Sequence, residues 1–248
     1  MMSIWLRAWQ QSEQATTSLI CMPHAGGSAS FFRDWRDELP AGIELLAAQY
    51  PGREDRFNEP ACISLVDMAQ HISDALLARP VRSLLLFGHS MGAAVAYEVG
   101  LRLEAAGRPA ARLFVSAHPP PHRQRRSDLH RQSDQALIDD ICRQASDTAH
   151  LWQNADLRRL FLPVLRSDYQ AIETWRSNAQ SLSTSIDVLL ARDDREVSAE
   201  EALAWHDLTE ADASLHWFDG DHFYLKHQPG KVVRHLLRQI APTRGTGS

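Results

Sequence analysis

"LLLFGHSMGAA", residues 84–94, sets a serine between two glycines where an apolar run gives way to a run of small residues. The four apolar residues fit a buried strand, and "MGAAVAYEVGLRLEAAG" (91–107) has a helical period with Gly107 as its stop. Ser90 at this junction has two main readings. It caps the helix, or it stands on a tight strand-to-helix turn that Gly88 and Gly92 permit, with its hydroxyl lifted clear as a nucleophile. A third reading, a serine bearing a prosthetic arm, expects a small helical bundle, and the strand before Ser90 argues against it.

The chain around this stretch decides between them. Apolar runs of strand length lie at 4–9, 18–22, 43–50, 83–88, 112–117, 186–191 and 214–218. Helix-period segments stand between most of them: "SLVDMAQHISDALLAR" (64–79), the segment after Ser90, and "SAEEALAWHDL" (198–208), where Ser198 and Glu201 form a capping box. The alternation predicts an α/β fold with a mostly parallel central sheet flanked by helices. One break stands out. Residues 119–184 read as helices, among them "QALIDDICRQ" (135–144) and a stripe of Leu157, Leu160, Phe161, Val164, Leu165, Ile172 and Trp175. An insertion there overhangs the carboxyl ends of the strands, where open α/β sheets bind ligands, and is expected to form a helical lid. The plainer alternative is extra core helices without a gating role.

At 248 residues, the chain is expected to form one domain over 1–248. With 44% hydrophobic and 23% charged residues and no apolar run of bilayer length, it reads as soluble. The first residues lack the pattern of a secretion signal, so a cytoplasmic location is expected. A net charge of -5 argues against nucleic acid as a partner. Cys21, Cys62 and Cys142 are too few and too scattered for a disulfide framework.

A serine hydroxyl needs a base, and the base needs an orienting acid. On the turn's fold class these follow in the order serine, acid, histidine, each after a late strand. "LLARDDREV" (189–197) offers Asp193 and Asp194 after the sixth strand, and "WFDGDHFYL" (217–225) offers His222 after the seventh. The other late histidines fall in a strand (His216) or the final helical segment (His227, His235). "PHAGGSASFF" (23–32), after the second strand, suits the loop that contributes to an oxyanion hole. Ala25 and Met91 are the expected N–H donors, with His24, Gly26 and Gly27 expected against the substrate. No metal is predicted: His118 and His122 stand four apart, but the prolines between them prevent a helix, and no other ligand spacing appears.

The stretches "PHAGGSASFF", "AAQYPGREDR" (47–56), "LLLFGHSMGAAVAYE", "LPVLRSDYQAIETW" (162–175) and "FDGDHFYL" (218–225) together span nearly the whole chain. In this order they resemble the type II thioesterases of nonribosomal peptide and polyketide synthesis. The resemblance implies an α/β-hydrolase fold, no cofactor and a monomer. It also implies hydrolysis of acyl groups from the phosphopantetheine arm of carrier proteins, clearing stalled or misprimed synthases. Ser90 then matches the nucleophile and His222 the base. Asp194 matches the acid of a G-x-x-D-x-x-V segment, although Ala191 replaces its glycine; Ser167 and Asp221 are further departures. Two alternatives remain: a medium-chain fatty acyl thioesterase, and a catalytically silent binder of carrier domains. His122, Arg123, Arg125, Arg126 and Arg131, at the start of the insertion, form either a docking site for an acidic carrier or a solvated loop.

Overall fold

The computed structural model describes residues 3–145 and 148–240. Of the expected 1–248 domain, residues 1–2 and 241–248 lie outside the described residues, as do 146–147 of the expected insertion. Among the described residues, seven strands form one sheet: β1 (Leu6–Gln10), β2 (Thr17–Met22), β3 (Ile43–Ala48), β4 (Ser83–His89), β5 (Arg112–Ser116), β6 (Ile186–Ala191) and β7 (Ala213–Phe218). Their order is β1-β3-β2-β4-β5-β6-β7, with β1 antiparallel to β3 and every other pairing parallel. The mostly parallel sheet expected from the alternation is thus present. β3 and β6 are buried at every residue, which is why they read as apolar runs interrupted only by Glu44 and Asp187, each ion-paired to arginine.

Helices α1 (Leu65–Leu77), α2 (Met91–Ala105), α3 (Asp134–Gln144), α4 (Ala155–Thr174), α5 (Ala199–Leu203), α6 (Tyr224–His227) and α7 (Pro229–Ile240) accompany the sheet among the described residues, together with short 3-10 turns. Local chemistry starts several of them. Ser64, Ser133 and Asn154 accept hydrogen bonds from the first turns of α1, α3 and α4, and Ser198 with Glu201 closes the predicted capping box of α5. One sheet face packs on α1 and α2, the other on α7 and a 3-10 helix, Ala29–Glu38. A smaller cluster, with Leu137 and Ile138 of α3 against Leu162, Leu165 and Tyr169 of α4, lies apart from both.

Three expectations shift. The segment predicted as one helix over 198–208 is α5 followed by a 3-10 helix, Ala204–Leu208. The first strand begins at Leu6, leaving Ile4 64% exposed. On α4, Leu160 and Phe161 are exposed while Leu162 is buried, because this part of the helix packs Leu162, Leu165 and Tyr169 against α3, and only its C-terminal end, at Ala171 and Trp175, joins the core on the sheet.

Strand order reverses between β2 and β4, the place where parallel sheets leave a crevice at their carboxyl ends. Met22 pairs with Gly88 there. The loop after β2 and the turn after β4 therefore emerge side by side.

Candidate active site

Ser90 sits at φ 53° and ψ -125°, and its side chain makes no capping bond to α2, so the cap reading fails. A non-glycine residue persists there only where its surroundings dictate it. Here Ser90 N–H donates to Ser116 O at 2.8 Å and Ser90 O accepts from Ala93 N–H at 2.8 Å. The flanking glycines have a measurable reason. A Cβ on Gly88 would lie 2.0 Å from Gly92 O, and one on Gly92 would lie 2.1 Å from Met22 O. Beneath the turn, His89 Nδ1 is 2.9 Å from Ser116 Oγ, which is 2.8 Å from Tyr224 OH. This buried chain ties β4, β5 and α6 together. Ser116 and Tyr224 sit in an ordinary strand and helix by pattern, and no sequence signal singled them out.

The loops after β6 and β7 meet across the same end. His222 Nδ1 lies 3.2 Å and 3.1 Å from the two carboxylate oxygens of Asp194, whose side chain is fully buried. Asp194 Oδ1 also accepts the Glu196 N–H at 2.8 Å. Asp193 is exposed, so of the two aspartates only Asp194 meets the imidazole. His222 Nε2 is buried without a hydrogen-bond partner among the described residues. It borders, with Ser90, one cavity of about 890 Å³.

His24, Ala25, Gly26 and Met91 border this cavity too. Gly27 does not. A Cβ at Gly27 would lie 2.8 Å from the His24 ring, so its missing side chain makes room for His24 rather than for a substrate. Gly26, at φ 76°, gives its N–H to Asp168 Oδ2 at 2.7 Å. That leaves its neighbour Ala25 as the residue of this loop suited to meet an oxyanion. Apolar side chains from the 119–184 segment, including Leu129, Ile141, Trp152 and Phe161, roof the cavity.

Three histidines around this end, His24, His89 and His118, are held neutral. Burial, reinforced by the neighbouring His222, brings His24 down to about 3 and drives His89 well below the imidazole range. Burial likewise lowers His118 to about 4 and, away from the cavity, His235 to about 4. The unfolded chain protonates these groups near pH 6.5. Between about pH 6.5 and 4 the unfolded state therefore binds more protons, and stability, full above that window, falls as pH drops through it. The urea midpoint is expected to decline steadily from pH 6.5 to 4.5. A flat midpoint over that range contradicts the assignment.

Tertiary structure also assembles what histidine spacing hid. Asp187, His216 and His235 present ligand atoms within 4.8 Å of one another. His216 Nε2 lies 2.7 Å from Asp187 Oδ1, Arg112 holds the other carboxylate oxygen, and Lys231, Arg234 and Arg238 line the adjoining groove. That field opposes a dication. The groove shares no lining residue with the cavity at Ser90.

A family model described as a thioesterase domain matches residues 17–240. Thioesterase PikA5 of Streptomyces venezuelae is 35% identical over 98% of this chain and 87% of its own length. Among solved structures, the type II thioesterase BorB from the borrelidin biosynthetic cluster is 36% identical, with a TM-score of 0.87 over 96% of this chain and 98% of its own. YbtT, a type II thioesterase from the yersiniabactin NRPS/PKS biosynthetic pathway, is 30% identical, with a TM-score of 0.85 over 94% and 97%.

Proposed function

The chain belongs to the thioesterase domain family, and from that premise we propose that it is a type II thioesterase that clears acyl groups from the phosphopantetheine arms of carrier proteins. Its synthases are of the nonribosomal peptide or polyketide class. The observation that carries this reading is the convergence of Ser90 and the Asp194-bonded His222 on one apolar cavity. His222 Nε2 takes the Ser90 proton as the hydroxyl attacks the thioester carbonyl, and Asp194 holds the imidazole tautomer and stabilises its cation. The Ala25 and Met91 N–H groups receive the oxyanion, Met91 from the first position of α2 where the helix field favours negative charge. The pantetheine sulfur then leaves and takes the proton back from His222, with little need of acid help in the bond breaking, since a thiol's pKa is about 8.5. Water repeats the attack on the acyl-serine. The helices over 119–184 act as a lid that excludes bulk water, and no cofactor takes part. A medium-chain fatty acyl thioesterase and a silent binder are less well supported, because relatives at 35–36% identity include thioesterases and a type II thioesterase from a biosynthetic cluster.

Carrier docking is assigned to the basic rim. Arg125 and Arg126 border the cavity mouth, but Arg125 is engaged by both carboxylate oxygens of Glu201 at 2.8 Å, and His122 lies 3.2 Å from Asp207. Arg126 is therefore the better probe. The test is acyl release from a loaded holo-carrier, compared with a small acyl-pantetheine. Wild-type protein should hydrolyse both and react covalently at Ser90 with a fluorophosphonate. Arg126→Glu should slow only the carrier reaction, by about 3- to 10-fold at low salt, with a shallower salt dependence. Turnover of esters but not of carrier-bound thioesters would overturn the function, and equal slowing on both substrates would overturn the docking role.

A further inference from the structure

Two of the stretches that carry the family resemblance, "AAQYPGREDR" and "LPVLRSDYQAIETW", contain none of Ser90, Asp194 and His222. The fold joins them to each other. Asp168 on α4, fully buried, takes a bidentate ion pair from Arg53: Nη1 to Oδ2 at 2.7 Å and Nη2 to Oδ1 at 2.8 Å. The same Oδ2 accepts the Gly26 N–H at 2.7 Å, and Arg53 Nη1 also donates to Gly27 O at 2.9 Å. One turn earlier on α4, Leu165 sits so close to Gly26 that a Cβ there would lie 3.1 Å from it. The roof helix thus grips the loop after β2 by a carboxylate and a leucine together.

A buried ion pair is poor evidence of stabilisation, since apolar residues of equal size often serve as well. What apolar residues cannot do is accept the Gly26 N–H and donate to Gly27 O. Those two contacts fix the Ala25–Gly26 and Gly27–Ser28 peptide planes, the first of them directly after Ala25. We infer that Arg53 and Asp168 are positioning residues: through Gly26 and Gly27 they aim the Ala25 N–H at the developing oxyanion, and they make that aim conditional on α4 being seated. The inference rests on the reading of Ser90 as nucleophile and Ala25 as donor. A displacement of about 1 Å at such a donor costs on the order of 100-fold in rate.

Two double variants isolate the effect, because neither leaves a buried charge unpaired. In Arg53→Met/Asp168→Leu the Gly26 N–H has no acceptor. In Arg53→Met/Asp168→Asn the amide oxygen can still accept it. With active sites counted by fluorophosphonate end-point labelling, the leucine variant should lose about 10- to 100-fold in kcat with KM within about 3-fold. The asparagine variant should recover at least about 5-fold of that loss. The pH profile should keep its shape in both, since the His222–Asp194 contact is untouched. Equal kcat in the two variants would overturn the inference. Arg53→Lys retains the buried cation but cannot span both Asp168 oxygens and Gly27 O. It gives an independent reading if the double variants fold poorly: kcat about 5-fold lower supports the inference, and unchanged kcat overturns it. Failure of the parent reading looks different, because Ser90 itself would then go unlabelled in the wild type.

Discussion

Ser90→Ala is expected to lower kcat on an acyl-carrier thioester by about 10⁴-fold or more, and His222→Ala by a comparable factor. The double variant should be hardly worse than either single one, because nucleophile and base act as a unit. Residual turnover should persist in all three, since the N–H groups of Ala25 and Met91 still receive an oxyanion when water is the attacking group. Ser90 makes its hydrogen bonds in the strained turn through its backbone N–H and carbonyl, so the alanine variant should remain folded. The check is single-turnover release of a labelled acyl group from a holo-carrier, with thermal unfolding measured in parallel. A folded Ser90→Ala protein that retained more than about one-tenth of wild-type turnover would remove the nucleophile assignment.

The second large effect separates neighbouring aspartates. Asp194 Oδ1 accepts the Glu196 N–H at 2.8 Å. In Asp194→Asn the amide oxygen keeps that bond and turns the NH₂ toward His222 Nδ1, which must then carry a lone pair. The proton moves to Nε2, the atom that has to accept from Ser90. A loss of about 10⁴-fold in kcat is expected, close to that of removing the base. Asp193 points to solvent, and Asp193→Asn should stay within about 2-fold of wild type. Kinetics on a small acyl-pantetheine suffice here, because neither change touches the basic rim. If Asp193→Asn proved the damaging one, the acid would belong one residue upstream.

Much of this was legible in local chemistry. A run rich in apolar residues announces a strand covered on both faces, and β3, β4 and β6 are of that kind, with Glu44 and Asp187 as buried, ion-paired exceptions. Ser198 and Glu201 announce a helix start because two side chains can satisfy two backbone donors within one turn. The G-x-S-x-G stretch could be read because close backbone approach excludes every residue but glycine at 88 and 92.

The misreadings have physical causes as well. The apolar residues of α4 do not share one environment: Leu162, Leu165 and Tyr169 meet α3, Leu157 and Phe161 border the cavity, and Ala171 and Trp175 join the core on the sheet, so exposure does not follow one stripe. Gly27 was expected against the substrate, but it does not border the cavity that His24, Ala25 and Gly26 line, and the placement of the His24 ring gives its missing side chain another reason.

The sequence by itself determined the strand–helix alternation, the turn at Ser90 and the order in which Ser90, Asp194 and His222 follow one another, since these depend on residues a few positions apart. Only the tertiary structure decided that Arg53 reaches Asp168 across 115 positions and that Asp187 gathers His216 and His235. Such contacts arise from how strands and helices stack after the chain has closed long loops. Periodicity reports which face of an element is apolar, but not which side chain of a distant element stands opposite it.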